Sequence, residues 1–422
     1  MRPRPENALR SRNVTRGDIS PLPLAAPESA PDDTAHSDPH AGRIPRQLGA
    51  LLIASIAFGF AHSTYFLLPK YLEVELHADA SQIGLYSAIA WVANVVLASF
   101  AGVLIDRRGR MPFAYFGAVA MALTGAGFLA VDSLGPLLFA LRVAHGVAFT
   151  FFFVATQTLA ADLAPPERLG QVLGYYGSSL VLTNAVAPAA AEWLAGRAGW
   201  EWVFAATAAL ALLSVVLLLF VREHSTHHDD GGEVPGILAT FARPRFARVL
   251  LVSSLAGVAF AAAFTFHQPF ALSLGIERVS DFFVAYSVTA MVVRGPLGGF
   301  MDRGGRLRVT RVSLVAYALG SLAMFELGRI GLLPPGALFG LAHGLFYPSL
   351  NAVALEGAGP GERAKVTGLF NGAFNVGFSG GSLALGYVAL DLGYVPVFGL
   401  AAVSSVLALA LVPRRGPGGG VS

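Results

Sequence analysis

Twelve apolar runs, each more than 20 residues long, fill nearly all of the chain between residues 48 and 413. A helix rises 1.5 Å per residue, so each run can cross the ~30 Å hydrocarbon core of a bilayer. In hydrocarbon every backbone N–H and C=O must find its partner within the protein, which leaves helices or a closed barrel, and runs of this length and apolar density are helical. They fall near 48–72, 80–105, 111–131, 134–161, 169–194 and 200–221, then 246–274, 279–301, 308–328, 333–356, 364–391 and 393–413. The composition agrees: 13% of residues are charged, against about 25% in a soluble domain. The expected class is therefore an all-α membrane protein with 12 transmembrane helices. The chain has no cysteine, which excludes disulfides, thiolate metal sites and cysteine nucleophiles.

The segments between and around these runs divide the chain. Residues 1–45 are rich in Pro, Arg, Ser and Asp with no apolar face, and read as a disordered tail rather than a signal peptide. Six-helix bundles are expected at 46–222 and 246–413, joined by a linker at 223–245 and followed by a short tail at 414–422. His224, His227, His228, Asp229 and Asp230 in the linker could hold a metal, but the segment reads as a solvated connection; no metal or cofactor is expected. Of 29 basic residues, 23 lie on the side shared by both termini and alternate loops, and four on the other: Lys70, Arg197, Arg278 and Arg329. By the positive-inside rule both termini face the cytoplasm, with a bacterial inner membrane as the expected location.

The two sets of runs are related. Gly102-Val-Leu-Ile-Asp106-Arg107-Arg108-Gly109-Arg110 recurs 196 positions later as Gly298-Gly-Phe-Met-Asp302-Arg303-Gly304-Gly305-Arg306, both reading G-x-x-x-D-R-x-G-R. Arg142-Val-Ala-His145-Gly146 is echoed by Gly340-Leu-Ala-His343-Gly344, and Asp162…Arg168 by Glu356…Arg363. An even number of spans per copy makes the halves parallel, related by an axis along the membrane normal. The elbow motif, the span count and the parallel repeat together resemble the major facilitator superfamily of secondary transporters over about residues 48–413.

That resemblance implies a gating role for the elbows, as ion-pair latches that favour one access state. The residues concerned are Gly102, Asp106, Arg107, Gly109, Arg110, Gly298, Asp302, Arg303, Gly305 and Arg306, extended by Asp162, Arg168, Glu356 and Arg363. Gly102 and Gly298 are expected to admit a close neighbouring helix. It also links an Arg in the pattern R-x-x-x-G on the fourth span, here Arg142 and Gly146, to proton coupling. In the exporting branches the fifth span resembles G-x8-G-x3-G-P-x2-G-G; this chain keeps Gly174 and Pro188 but carries Thr183, Ala187, Ala191 and Glu192. Glu192 is expected near the end of that span, solvated or paired with Arg197.

Independent of the resemblance, a charge inside a span is costly and marks a functional candidate. Arg142 is such a residue, and its repeat partner is Gly340. Histidine titrates near neutral pH, which adds His62, His145, His267 and His343. On the spans that the resemblance implies line a cavity, polar and aromatic side chains complete the candidates: Gln157, Asn184, Gln268, Asn371 and Asn375, with Tyr65, Trp91, Asn94, Tyr347 and Asn351. No nucleotide-binding loop is present. The expected activity is proton-coupled export of a small drug- or metabolite-like molecule by alternating access. Import of a sugar, organic acid or siderophore-like compound, or a transporter-like sensor, are the alternatives. An enzyme is not expected, nor a nucleic-acid partner. The expected partners are substrate, protons and lipid, with the chain as a monomer.

Overall fold

A computed structural model describes residues 46–165, 168–223, 244–294, 305–356 and 363–413. The tails, most of the linker, and Gly298, Asp302 and Arg303 lie outside these residues. Among the described residues the spans are α1 (Arg46–Thr64), α2 (Ala80–Arg108), α3 (Met111–Phe128), α4 (Pro136–Asp162), α5 (Leu169–Ala198) and α6 (Trp200–Leu218). The second set is α7 (Pro244–Ser273), α8 (Asp281–Arg294), α9 (Arg306–Ala323), α10 (Leu333–Leu355), α11 (Arg363–Leu392) and α12 (Tyr394–Leu411). α1 continues through a 3-10 turn (Tyr65–Leu67) into a helical piece at Leu68–Val74, and α9 runs on similarly to Ile330. Among the described residues ten helices are long and apolar enough to cross a membrane. α5, rich in Gly, Ala and polar residues, and α8, with 14 described residues, are the others.

The packing repeats as the sequence does. In the first half α1 packs on α5 and α6, α2 on α4, and α3 on α4 and α6; in the second, α7 packs on α11 and α12, α8 on α10, and α9 on α10 and α12. The halves meet through α2 against α11 and α5 against α8. α1 and α7 sit innermost: 67% and 78% of their apolar windows are buried, against 33% and 39% in the outer helices α6 and α12.

Local chemistry sets the breaks. Pro69 has no N–H to give the Tyr65 carbonyl, so α1 tightens into the 3-10 turn and Leu68 N–H takes that carbonyl instead. Each elbow turns on the glycine of its motif, Gly109 at φ 89° and Gly305 at φ 77°, a region that side chains with a Cβ avoid. At the opposite end Asp79 caps α2: its carboxylate accepts Gln82 N–H at 2.9 Å, and the Gln82 side chain accepts Asp79 N–H at 2.9 Å. Partial burial works to raise the Asp79 pKa, but hydrogen bonds from the Ser81 hydroxyl and the Gln82 and Ser81 backbone outweigh it and hold the carboxyl below the usual range. The cap's contribution is thus present above the ordinary Asp range and fades as pH falls through the lowered pKa. Asp79→Ala is expected to cost about 1 kcal/mol, read as a lower Tm of the purified protein near neutral pH.

The halves are joined unevenly along their length. At the ends of the spans away from the elbows, Gly84 on α2 lies against the Ser382 carbonyl and the Gly386 Cα of α11. Towards the elbow ends, Gly102, Gly174, Gly368 and Gly372 have no neighbour within 4 Å of where a Cβ would stand. The close approach expected at Gly102 is therefore absent in this conformation. Tight glycine contacts within a half lie elsewhere: Gly59 on α1 against Thr183 of α5, and Gly377 on α11 against the Ser254 carbonyl of α7.

Candidate functional site

Between the halves lies a cavity whose walls include Phe66, Trp91, Phe149, Phe264 and Phe378. Its polar wall comes from α1, α2 and α4. Arg142, 4% exposed, donates from Nε to the Tyr86 carbonyl at 2.8 Å, and its Nη1 lies 2.7 Å from His145 Nδ1. His145 Nε2 is in turn 3.0 Å from His62 Nδ1. An arginine has only donors, so His145 Nδ1 must accept and its Nε2 carry the hydrogen. His62 Nδ1 then accepts that hydrogen, leaving the His62 N–H at Nε2. The three side chains form one polarised row from α4 to α1, with Phe149 stacked on His62 at 4.0 Å between ring centroids.

The symmetry break at Arg142 has a local cause. Its guanidinium reaches the Tyr86 carbonyl of α2, whereas Gly340 lies so close to the Tyr286 carbonyl of α8 that no side chain could enter. His343 accordingly makes a different contact, with its Nδ1 2.8 Å from the Tyr317 hydroxyl inside the second half. His267 is separate again: fully buried, its Nδ1 2.5 Å from the Ala263 carbonyl, its ring stacked on Phe282, and its Nε2 without a partner.

The amides divide by place. Asn375 of α11 donates to Asn94 Oδ1 of α2 at 2.8 Å, and Asn94 Nδ2 donates to Thr150 at 2.9 Å, tying the halves beside the cavity. Asn184 accepts from Ser63 at 2.8 Å and lines a neighbouring hollow that shares His62 and Trp91. Asn371 holds the Tyr347 hydroxyl, and Thr367 donates to Asn351. Gln157 is exposed on α4, outside both hollows.

Gln268 has a role that residue spacing does not reveal. In an unbroken helix Lys70 N–H would donate to the Phe66 carbonyl. Instead Gln268 Nε2 donates to Phe66 O at 2.7 Å and its Oε1 accepts from Lys70 N–H at 3.2 Å. One side chain of α7 thus occupies both ends of a rung that α1 leaves open beside Pro69. Next to it, Lys70 Nζ pairs with Glu192 at 2.8 Å and donates to the Glu277 carbonyl at 2.6 Å. The Glu192 carboxylate also accepts Val279 N–H at 2.9 Å and Ser280 N–H at 3.0 Å, just before α8 begins. This corrects the expected pairing with Arg197, whose guanidinium instead stacks on Trp193 one helical turn earlier. Glu192 and Gln268 thus join the two halves at the ends of the spans away from the elbows.

At the elbow end the described ion pairs stay within each half. Arg110 approaches Asp162 at 3.4 Å and Glu223 at 3.5 Å; its counterpart Arg306 approaches Glu356 at 3.3 Å. Glu223, unmarked in the sequence, accepts the backbone N–H of Arg110 and Met111 and caps α3. Asp106 and Arg107 fall in the last turn of α2, Arg168 directly precedes α5, and Arg363 opens α11.

The comparisons with known proteins match this architecture. A family model described as Major Facilitator Superfamily matches residues 50–328 and 277–421. The chain is 27% identical over 386 residues to the inner membrane transport protein YdhP of Escherichia coli O157:H7, covering 86% of this chain and 94% of that protein. It is 25% identical over 410 residues to a multidrug resistance protein B homolog of Mycobacterium tuberculosis, covering 80% and 75%. Among solved structures, the nucleoside transporter NupG superposes with a TM-score of 0.74 at 18% identity, over 86% of this chain and 98% of that one; this likeness is one of fold.

Proposed function

Since the chain belongs to the major facilitator superfamily and is a secondary transporter, we propose that it exports a small molecule in exchange for protons by alternating access. The observation that carries this reading is the buried Arg142–His145–His62 row of the first half, lining a cavity that both halves enclose. No carboxylate lines that cavity among the described residues, so the imidazoles are the titratable groups placed to take a proton there. Export is supported by relatives named for multidrug resistance and efflux and by Pro188 retained in α5. In this reading the chain is a monomer in a bacterial inner membrane with both termini cytoplasmic, the elbows lie on the cytoplasmic side, and the conformation described is inward-facing. The elbow pairs are latches remade between halves when that side closes. The altered fifth-span motif, with Thr183, Ala187 and Glu192 in place of glycines, favours a second reading, proton-coupled import through the same cavity.

The test is collapse of a proton gradient in everted vesicles. A transported compound should dissipate the gradient with the wild type and not with Arg142→Ala, because truncating one partner of a buried charge network costs about 2–5 kcal/mol, a rate loss of roughly 30-fold or more. Full activity in Arg142→Ala would remove the row from the mechanism. Uptake by cells in place of gradient collapse would turn the reading to import.

A further inference from the structure

The polar groups on this cavity are unusually one-sided. Arg142 carries a positive charge and, among the described residues, has no carboxylate within ion-pair distance; its two hydrogen bonds go to a carbonyl and an imidazole. Two hydroxyls on the same wall, Tyr65 Oη and Ser87 Oγ, are buried and have no hydrogen-bond partner. Their residues are 5% and 7% exposed, and both line the cavity. Tyr65 lies 4.4 Å from the His145 ring, between centroids, and Ser87 follows Tyr86, whose carbonyl holds Arg142. His62, by the donor logic above, presents its N–H at Nε2. Buried polar atoms are nearly always satisfied, and an isolated buried charge is costlier still. A guanidinium, two hydroxyls and an imidazole N–H lining one cavity can all donate to the same acceptor, and a negatively charged one would also offset the Arg142 charge. Other walls of the cavity are aromatic: Phe66, Trp91, Phe264 and Phe378.

We infer that the transported molecule is an organic anion with a planar apolar body, its carboxylate held by Arg142, Tyr65 and Ser87 and its body held among the aromatic rings. This rests on the reading of the cavity as the transport site, and it names the substrate class. Arginine is the side chain suited to the anion, because its planar fork can present two N–H groups to one carboxylate. The same geometry disfavours cations, which would meet Arg142 with no acid to offset the repulsion.

The experiment is calorimetric titration of the purified full-length protein with three matched probes: biphenyl carboxylate, biphenyl carboxamide and biphenylmethylammonium. The carboxylate should bind at least about tenfold more tightly than the carboxamide, and the ammonium should not bind measurably. Arg142→Gln should bring the carboxylate down to the affinity of the carboxamide. Tyr65→Phe and Ser87→Ala should each weaken the carboxylate about 10- to 150-fold with the carboxamide unchanged, the effect of one hydrogen bond to a charged group. Equal binding of the three probes, binding of none, or a carboxylate preference that survives Arg142→Gln would overturn the inference. Where Arg142→Gln fails to fold, the two hydroxyl variants decide it on the same criterion. Carboxylate binding without any proton-gradient response would refute proton-coupled export while leaving the anion site standing. Gradient collapse by uncharged compounds with no carboxylate preference would do the reverse.

Discussion

Replacing Glu192 by alanine is expected to part the halves at the ends of the spans away from the elbows, the sealed side in the inward-facing reading. The carboxylate joins three elements in one contact: Lys70 after α1, its own helix α5, and the Val279 and Ser280 N–H groups that precede α8. The side chains of Lys70 and Glu192 are only 16% and 12% exposed, so most of the pair is shielded from solvent screening. Removing a partner from such a set costs about 2–5 kcal/mol; with part of the pair reachable by water, about 2–3 kcal/mol is a fair expectation. Those groups find water only when the end opens, so the cost falls on the closed state and shifts the two-state balance by roughly 30- to 150-fold. Because the chain has no cysteine, one introduced thiol reports on the change without background. Ser63→Cys, at a residue lining the hollow beside the cavity and 1% exposed, should resist a membrane-impermeant maleimide applied from the sealed side. In the Glu192→Ala background it should label readily. Unchanged labelling would show that Gln268 and the α2–α11 contact hold that end closed without Glu192.

How much of this was legible in the sequence follows a physical line. The spans were readable to within a few residues over most of their length, because apolar length and Pro or Gly punctuation are local signals. Where α8 ends lies outside the described residues. The elbows were readable because the repeat exposes them, and Arg142 because a charge in a span breaks both the hydropathy and the symmetry. The row it forms was not: His62 and His145 are 83 positions apart, and only the packing of α1 on α4 brings them together. The contacts of Gln268 and Glu192 were hidden for the same reason. Apart from Lys70, their partners are backbone groups, freed in one case by Pro69 and in the other by the start of a helix, and backbone groups leave no mark in the residue string. The one available signal was Pro69 itself, which announces an unpaired carbonyl in α1 without saying what fills it. Ser87 and Glu223 were missed outright. A lone serine in a span, or a lone glutamate after one, gives no sign of what it faces.

The same steric clash should have two different outcomes depending on where it falls. Gly377 sits on α11 against the Ser254 carbonyl of α7, and both helices belong to the second half. A valine there places carbon inside a backbone contact that exists in every state of the bundle. The expected cost exceeds the about 1–3 kcal/mol of ordinary overpacking, because the obstacle is a helix backbone rather than a movable side chain. Gly377→Val should therefore lower the yield of monodisperse protein severely, as read by size-exclusion chromatography. Gly84 also stands against a backbone carbonyl, that of Ser382, yet α2 and α11 belong to different halves. Alternating access requires that contact to separate, so Gly84→Val can relieve its clash by rocking the halves apart, which the bundle cores survive. The protein should remain folded but favour the opposite access state, with Ser63→Cys labelled from the sealed side as in Glu192→Ala and transport lost. A Gly84→Val protein that collapses like Gly377→Val would mean that the α2–α11 contact is a fixed part of the fold, and that the halves do not part along that seam.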